Sequence, residues 1–256
     1  CVLIPSWIRR SVADEDGGRM NHAESLQCAL DDPQLADLVR GDIAHEMRRR
    51  GGPESIVVMD YEDESYVGKD LLTLSRERGL SPVDFAIALQ MEGDVDKPGG
   101  AQLRSYSMSE DDVEVFAAEP WTATASDADI TLPKDGRVHA RFYGTFPRKI
   151  RRYAIDKGIL TVEQAVRSMT SLPAEILGLE DRGLLRVGNY ADIAVLNLDT
   201  IRDTATFFEP HHYAEGVEYV FVGGVAVVSE GDPTGARPGQ VVLRPARIDR
   251  PVMVAD

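Results

Sequence analysis

The side chains of this sequence best suited to chemistry gather between Trp121 and Arg148. Trp121-Thr-Ala-Thr-Ala-Ser-Asp127 is a short apolar, β-prone run that ends in one acid. A polar loop follows, then His139, Arg141 and the turn-like Gly144-Thr-Phe-Pro-Arg148. A carboxylate at the C-terminal end of a strand is how β/α barrels place reacting groups at their mouth. Such an acid can accept a proton and return it, and it can equally close a loop or cap a helix. His139 reads either as a surface loop residue or as a contact at that mouth. Arg141 and Arg148 read either as groups that position an anion or as partners of nearby acids. Met108 reads as core or as the lining of an apolar pocket, which a soft, unbranched side chain suits.

Other groupings carry less. His211 and His212 are adjacent, and neighbours on an extended segment point to opposite faces, so they do not share one ion. Asp60-Tyr-Glu-Asp-Glu64 has the acids to hold a cation but reads as a solvated acidic loop. Cys28 falls within a helical pattern and reads as a small buried hydrophobe. Cys1 and Cys28 have no metal-type spacing, and two cysteines in a chain of 256 residues are no disulfide framework, which favours a reducing cytoplasm. Gly99-Gly100 and Gly223-Gly224 are turn signals, since the further residues of a phosphate loop are absent.

The elements that must position these groups can be read from period and punctuation. Leu35, Leu38, Val39, Ile43 and Met47 recur at helical spacing between Pro33 and Arg50, after Asp31 and Asp32 as a cap-like start. Ser55–Met59 reads as a short buried strand, and a helix opens near Gly68 and ends at Gly79. Ser81-Pro-Val-Asp84 is a capping pattern with proline at the first helical position, and its helix runs through Phe85 to about Gln90. Leu103–Met108 reads as a strand, Ser109–Ala118 as a helix, and Trp121–Ala125 as the next strand. That is a β-α-β unit of the kind that builds a parallel sheet or barrel. A helix is expected after Phe146-Pro147 up to Lys157, another from Thr161, and one more at Leu172-Pro-Ala174. Past Gly183 the runs Ala191–Leu196, Val217–Val222 and Val225–Val228 are β-rich, with Gly223-Gly224 as a hairpin turn. A boundary is therefore expected near residue 180, dividing residues 1–180 from residues 181–256.

Composition narrows the class. Lys and Arg total 28 against 43 Asp and Glu, a formal charge of −15. Such a surface repels nucleic acid and anionic membranes. No apolar run approaches the ~18 residues of a membrane span. The start at Cys1 rather than Met reads as a partial or processed chain.

Several blocks then acquire a common meaning. Gly144-Thr-Phe-Pro-Arg148, Met169-Thr-Ser-Leu-Pro-Ala-Glu175, Arg182-Gly183, Gly188-Asn-Tyr-Ala-Asp-Ile-Ala-Val195, Val222-Gly-Gly-Val225 and Thr234-Gly-Ala-Arg237 occur in that order. Together with Ser126-Asp127, His139 and Arg141 they resemble the C-terminal portion of the N-acyl-D-amino-acid deacylases of the amidohydrolase superfamily. The resemblance implies an α/β fold, the C-terminal part of a (β/α)8 TIM-type barrel with an inserted segment, followed by a small β-sandwich segment. It implies a hydrolase that cleaves the amide of an N-acyl amino acid to a carboxylate and a free amino acid, with Zn(2+) in the complete enzyme. It assigns Asp127 to proton transfer between water and leaving amine, and Met108, His139 and Arg141 to the substrate. Apart from a contact through Asp127, this chain is expected to supply no metal ligand: it has no His-x-His, and the N-terminal half of the barrel is expected to come from outside it. Ala128 stands where the family usually has Gly after Ser-Asp, and Ala140 where Pro usually follows the His. The alternatives are an amidohydrolase of cyclic amides or ureas, and a non-catalytic half-barrel subunit.

Overall fold

The computed structural model describes residues 2–8, 20–132, 136 and 138–243. Cys1 lies outside them. The fold is mixed α/β, and the chain divides into two compact units, Cys1–Ser109 and Glu110–Asp256.

The first unit is built by apolar faces. Helix α1 (His22–Asp31) starts in a capping box: Asn21 accepts from the Glu24 amide at 2.8 Å while the Glu24 carboxylate accepts from the Asn21 amide at 3.0 Å. Ala23, Leu26 and Ala29 form its buried stripe, three residues apart. Cys28 is on the opposite, exposed face, so the expectation of a buried thiol is corrected. Helix α2 (Pro33–Arg49) has the expected Asp32 cap and first-turn proline, and buries Val39, Ile43 and Met47 at a four-residue spacing. Leu38, one step off that row, stays 58 % exposed. Strand β1 (Ile56–Asp60) is followed by α3 (Leu71–Glu77), capped by Asp70, and by α4 (Pro82–Glu92), capped by Ser81. Strand β2 (Gln102–Ser105) returns antiparallel to β1, with Ile56 opposite Ser105 and Val58 opposite Leu103. Phe85 is wholly buried among Leu3, Leu26, Ile43, Leu74 and their neighbours.

The second unit opens with α5 (Glu110–Ala118). Trp121–Ala125 is not a strand. A strand exists only where a partner offers its ladder, and here the Thr124 amide bonds the Ser168 carbonyl at 2.8 Å while the two side-chain hydroxyls meet at 3.0 Å. The expected parallel β-α-β unit is therefore corrected on two counts: β2 pairs antiparallel with β1, and the run after α5 is tied to a helix end. Helix α6 (Arg141–Arg148) begins seven residues before the expected start and carries Pro147 inside it. It passes directly into a π-helical stretch, Lys149–Asp156. A proline removes one helical donor and crowds the preceding turn, and here the wider π turns begin two residues after it. Helix α7 (Val162–Met169) starts in the Thr161–Gln164 capping box, and α8 (Ser171–Leu177) ends at Gly178. Strands β3 (Ile193–Leu196), β4 (Val217–Val222), β5 (Val225–Ser229) and β6 (Asp232–Pro233) form one antiparallel sheet in that order. Gly223 and Gly224 have φ of 56° and 83°, the two positive values a tight β4–β5 turn requires. Ile150, Tyr153, Ala154, Leu160, Ala165 and Ile201 make this unit's buried cluster. Among the described residues no helix is long and apolar enough to cross a membrane.

Candidate active site

Asp127 stands in the extended segment before α6 with φ of 48°, in the left-handed region. That conformation is uncommon outside glycine, is tolerated best by Asn and Asp, and recurs at functional positions. Its carboxylate is 85 % exposed and meets Arg141 at 2.7 Å (Nη2 to Oδ2). Arg141 is the first residue of α6, so the helix start sets where the guanidinium can reach. Its Nε is buried and has no hydrogen-bond partner among the described residues. A guanidinium has five donors in a planar fork, so one arm can hold Asp127 while others face an incoming anion.

His139 acts on this start. Its Nδ1 accepts from the Arg141 backbone amide at 3.0 Å, which satisfies one of the donors a helix leaves open at its N-terminus. With Nδ1 as acceptor, a neutral His139 carries its proton on Nε2. The ring meets Phe207 edge-on at 5.0 Å. Further along α6, Gly144 packs against Asp203 so closely that an added Cβ would lie 2.8 Å from the Asp203 Cβ. Asp203 in turn accepts from Arg148 at 3.0 Å, so Arg148 is taken up by an acid of its own unit.

The shifted titrating groups of this unit belong to its scaffold. Burial pushes the Tyr153 hydroxyl up, assisted by the Glu110 charge. Burial likewise pushes the Lys149 ammonium down, while it donates to the Ala117 carbonyl at 3.0 Å. Glu110 is raised by burial but held below the usual carboxylate range overall by Arg152, which it meets at 2.8 Å.

The structure thus brings together Asp127, His139 and Arg141. Met108 belongs to the first unit, three residues past β2, and is 78 % exposed, which rules out the core reading. His211 bonds the Tyr143 hydroxyl through Nδ1 at 2.8 Å and the Gly136 carbonyl through Nε2 at 2.6 Å. That role was missed because spacing along the sequence can exclude a shared ion but says nothing of distant partners. Among the described residues, no three His, Cys, Asp or Glu side chains come together as a metal-binding group. Asp127 with a guanidinium as neighbour does not fit a metal cage by itself. The first unit holds a cavity of about 680 Å³ lined by Leu3, Trp7, His22, Asp42 and His45, formed wholly by that unit's residues.

Residues 73–228 match the amidohydrolase family, and this chain belongs to it. A D-aminoacylase of Alcaligenes xylosoxydans xylosoxydans is 40 % identical over 179 residues, covering 70 % of this chain and 34 % of that protein. A solved D-aminoacylase, studied for its binuclear metal centre, is similar with a TM-score of 0.58 and 35 % identity over 71 % of this chain and 36 % of the other. A solved N-acyl-D-glutamate deacylase from Bordetella bronchiseptica, in complex with zinc and a phosphonate inhibitor, gives a TM-score of 0.57 and 30 % identity over 73 % of this chain and 38 % of the other. The chain spans about a third of the length of the curated relatives it matches.

Proposed function

We propose that this chain is the proton-transferring portion of a metal-dependent amide hydrolase that splits N-acyl-D-amino acids into a carboxylate and a free amino acid. The observation that carries the reading is the Asp127–Arg141 pair, set at the start of α6 in a chain of the amidohydrolase family. The Asp127 carboxylate is exposed and offers only acceptor oxygens when ionised. It takes a proton from the attacking water and delivers it to the leaving nitrogen as the tetrahedral intermediate collapses. Arg141 holds that carboxylate and presents its remaining donors to the anionic end of the substrate. His139 holds the first turn of α6, and with it the guanidinium, in register.

Apart from a contact through Asp127, the metal of such an enzyme is taken to be held from outside this chain, whose own part is proton transfer and substrate orientation. Residues 1–180 are taken as part of a (β/α)8 barrel with an inserted segment, and residues 181–256 as a β-sandwich segment. The antiparallel β3–β6 sheet, lying wholly beyond residue 192, supports the second assignment. A cytoplasmic setting accords with the sparse cysteines.

The test is Asp127→Asn in the complete, metal-loaded enzyme, assayed on N-acetyl-D-amino acids beside cyclic amides. We expect kcat/KM on the N-acyl substrates to fall by about 10²–10⁴-fold, the range of positioned acid–base catalysis. Undiminished hydrolysis would remove Asp127 from the chemistry, and a preference for the cyclic amides would move the enzyme to that branch. The 256-residue chain alone, given zinc, should show no turnover.

A further inference from the structure

The connection between β3 and β4 is irregular, yet four of its residues touch the segment before α6 or that helix itself. Asp203 lies against Gly144 and binds Arg148. Phe207 meets the His139 ring. His211 spans two groups that the chain separates by seven positions: the Tyr143 hydroxyl at 2.8 Å and the Gly136 carbonyl at 2.6 Å. A carbonyl only accepts, so Nε2 carries the proton and donates to Gly136. In the neutral ring Nδ1 is then the acceptor and the Tyr143 hydroxyl is the donor. The Tyr143 ring is further held edge-on by His211 at 5.6 Å and by Tyr213 at 5.7 Å.

Gly136 lies between Asp127 and His139, and Tyr143 lies two residues past Arg141 on α6. One imidazole therefore ties the connecting segment to the helix at points that bracket Arg141. We propose that His211 is a positioning residue: by bridging Tyr143 and the Gly136 backbone it fixes the approach of Asp127 to Arg141. This inference rests on the proton-transfer reading above. His211 touches neither the reacting atoms nor Asp127, and it acts only through the segment it holds.

The experiment compares His211→Phe, His211→Gln, Tyr143→Phe and the Tyr143→Phe/His211→Phe pair in the complete enzyme, with Asp127→Asn alongside. Phenylalanine keeps the aromatic packing and loses both hydrogen bonds. Glutamine places an amide donor near the Nε2 position and can keep the Gly136 bond. We expect His211→Phe to lower kcat/KM about tenfold or more, since sub-ångström displacements of reacting groups carry costs of that order. KM should rise while kcat falls, a pattern that loss of folded enzyme cannot produce. Glutamine should recover most of the loss, and the double variant should be no worse than His211→Phe alone, because both act on one bridge. Wild-type kcat/KM in His211→Phe would overturn the proposal, as would losses that simply multiply in the double variant or a fall in kcat with KM unmoved. If Asp127→Asn keeps full activity, the underlying reading fails first and is recognised separately.

Discussion

The two units of this chain are stabilised in different ways, and the reacting groups sit in the one with less core. In the first unit seventeen described residues form the buried cluster, and in the second six do. The first unit is held by apolar burial, which needs only the right faces and volumes. In the second, β3–β6 aside, much of the positioning between Asp127 and Tyr213 is polar: Asp127 to Arg141, Arg148 to Asp203, His211 to Tyr143 and Gly136. Exposed polar contacts add little stability each but define direction. A site that must present a carboxylate to substrate cannot bury it, so geometry there is set by hydrogen bonds and close backbone packing.

That contrast can be tested from its strongest point downward. Phe85→Ala removes the largest fully buried side chain of the first unit and should cost about 3–5 kcal/mol in denaturant unfolding. A loss under 1 kcal/mol would show that the first unit does not depend on its core. Gly144→Ala drives a Cβ to 2.8 Å from Asp203. It should cost about 1–3 kcal/mol, as small overpacking does, and should lower hydrolysis beyond its effect on melting because α6 must shift. Ser81→Ala removes the cap of α4 and should cost about 1 kcal/mol with activity unchanged per folded molecule. The smallest effect is on acid sensitivity. Asp84 is held below its usual 3.8 by the Ser81 hydroxyl and by Arg40. Glu92 is held below its usual 4.5 by Arg78, which it meets at 2.9 Å. Carboxylates depressed in the folded state add stability that is complete above their unfolded values and is lost as pH falls through the folded ones. Unfolding titrations from pH 6 down to 3 should show a shallow loss in the wild type and a shallower one in Arg78→Ala.

What the sequence conveyed follows the same division. Local rules sufficed where a residue's partner is near in the chain. The Asp32, Ser81 and Thr161 caps and the Gly223-Gly224 turn were all legible from a few neighbouring letters. Reading failed where the partner is distant. Trp121–Ala125 has the composition of a strand, yet its hydrogen bonds go to Glu119 and Ser168. Leu103 was assigned to a strand correctly, but its antiparallel partner is Val58. The helix expected only after Phe146-Pro147 in fact includes both residues, and the π-helical stretch that follows them leaves no mark in hydrophobic period. Cys28 was misplaced for another reason: a helical pattern shows that faces exist, and the buried stripe runs through Leu26 and Ala29 instead. Of the site, Asp127, His139 and Arg141 were visible as types. The buttress from Asp203 to Tyr213 was not, since its contacts cross 55 to 75 positions of chain.

The backward-leaning backbone at Asp127 acts as a filter on residue identity. A φ of 48° admits Gly, Asn and Asp with little penalty and resists longer side chains. The proposed proton work admits Asp and Glu. Aspartate alone satisfies both lists, so glutamate, the replacement closest in acidity, should fare badly there for reasons of shape before chemistry is reached.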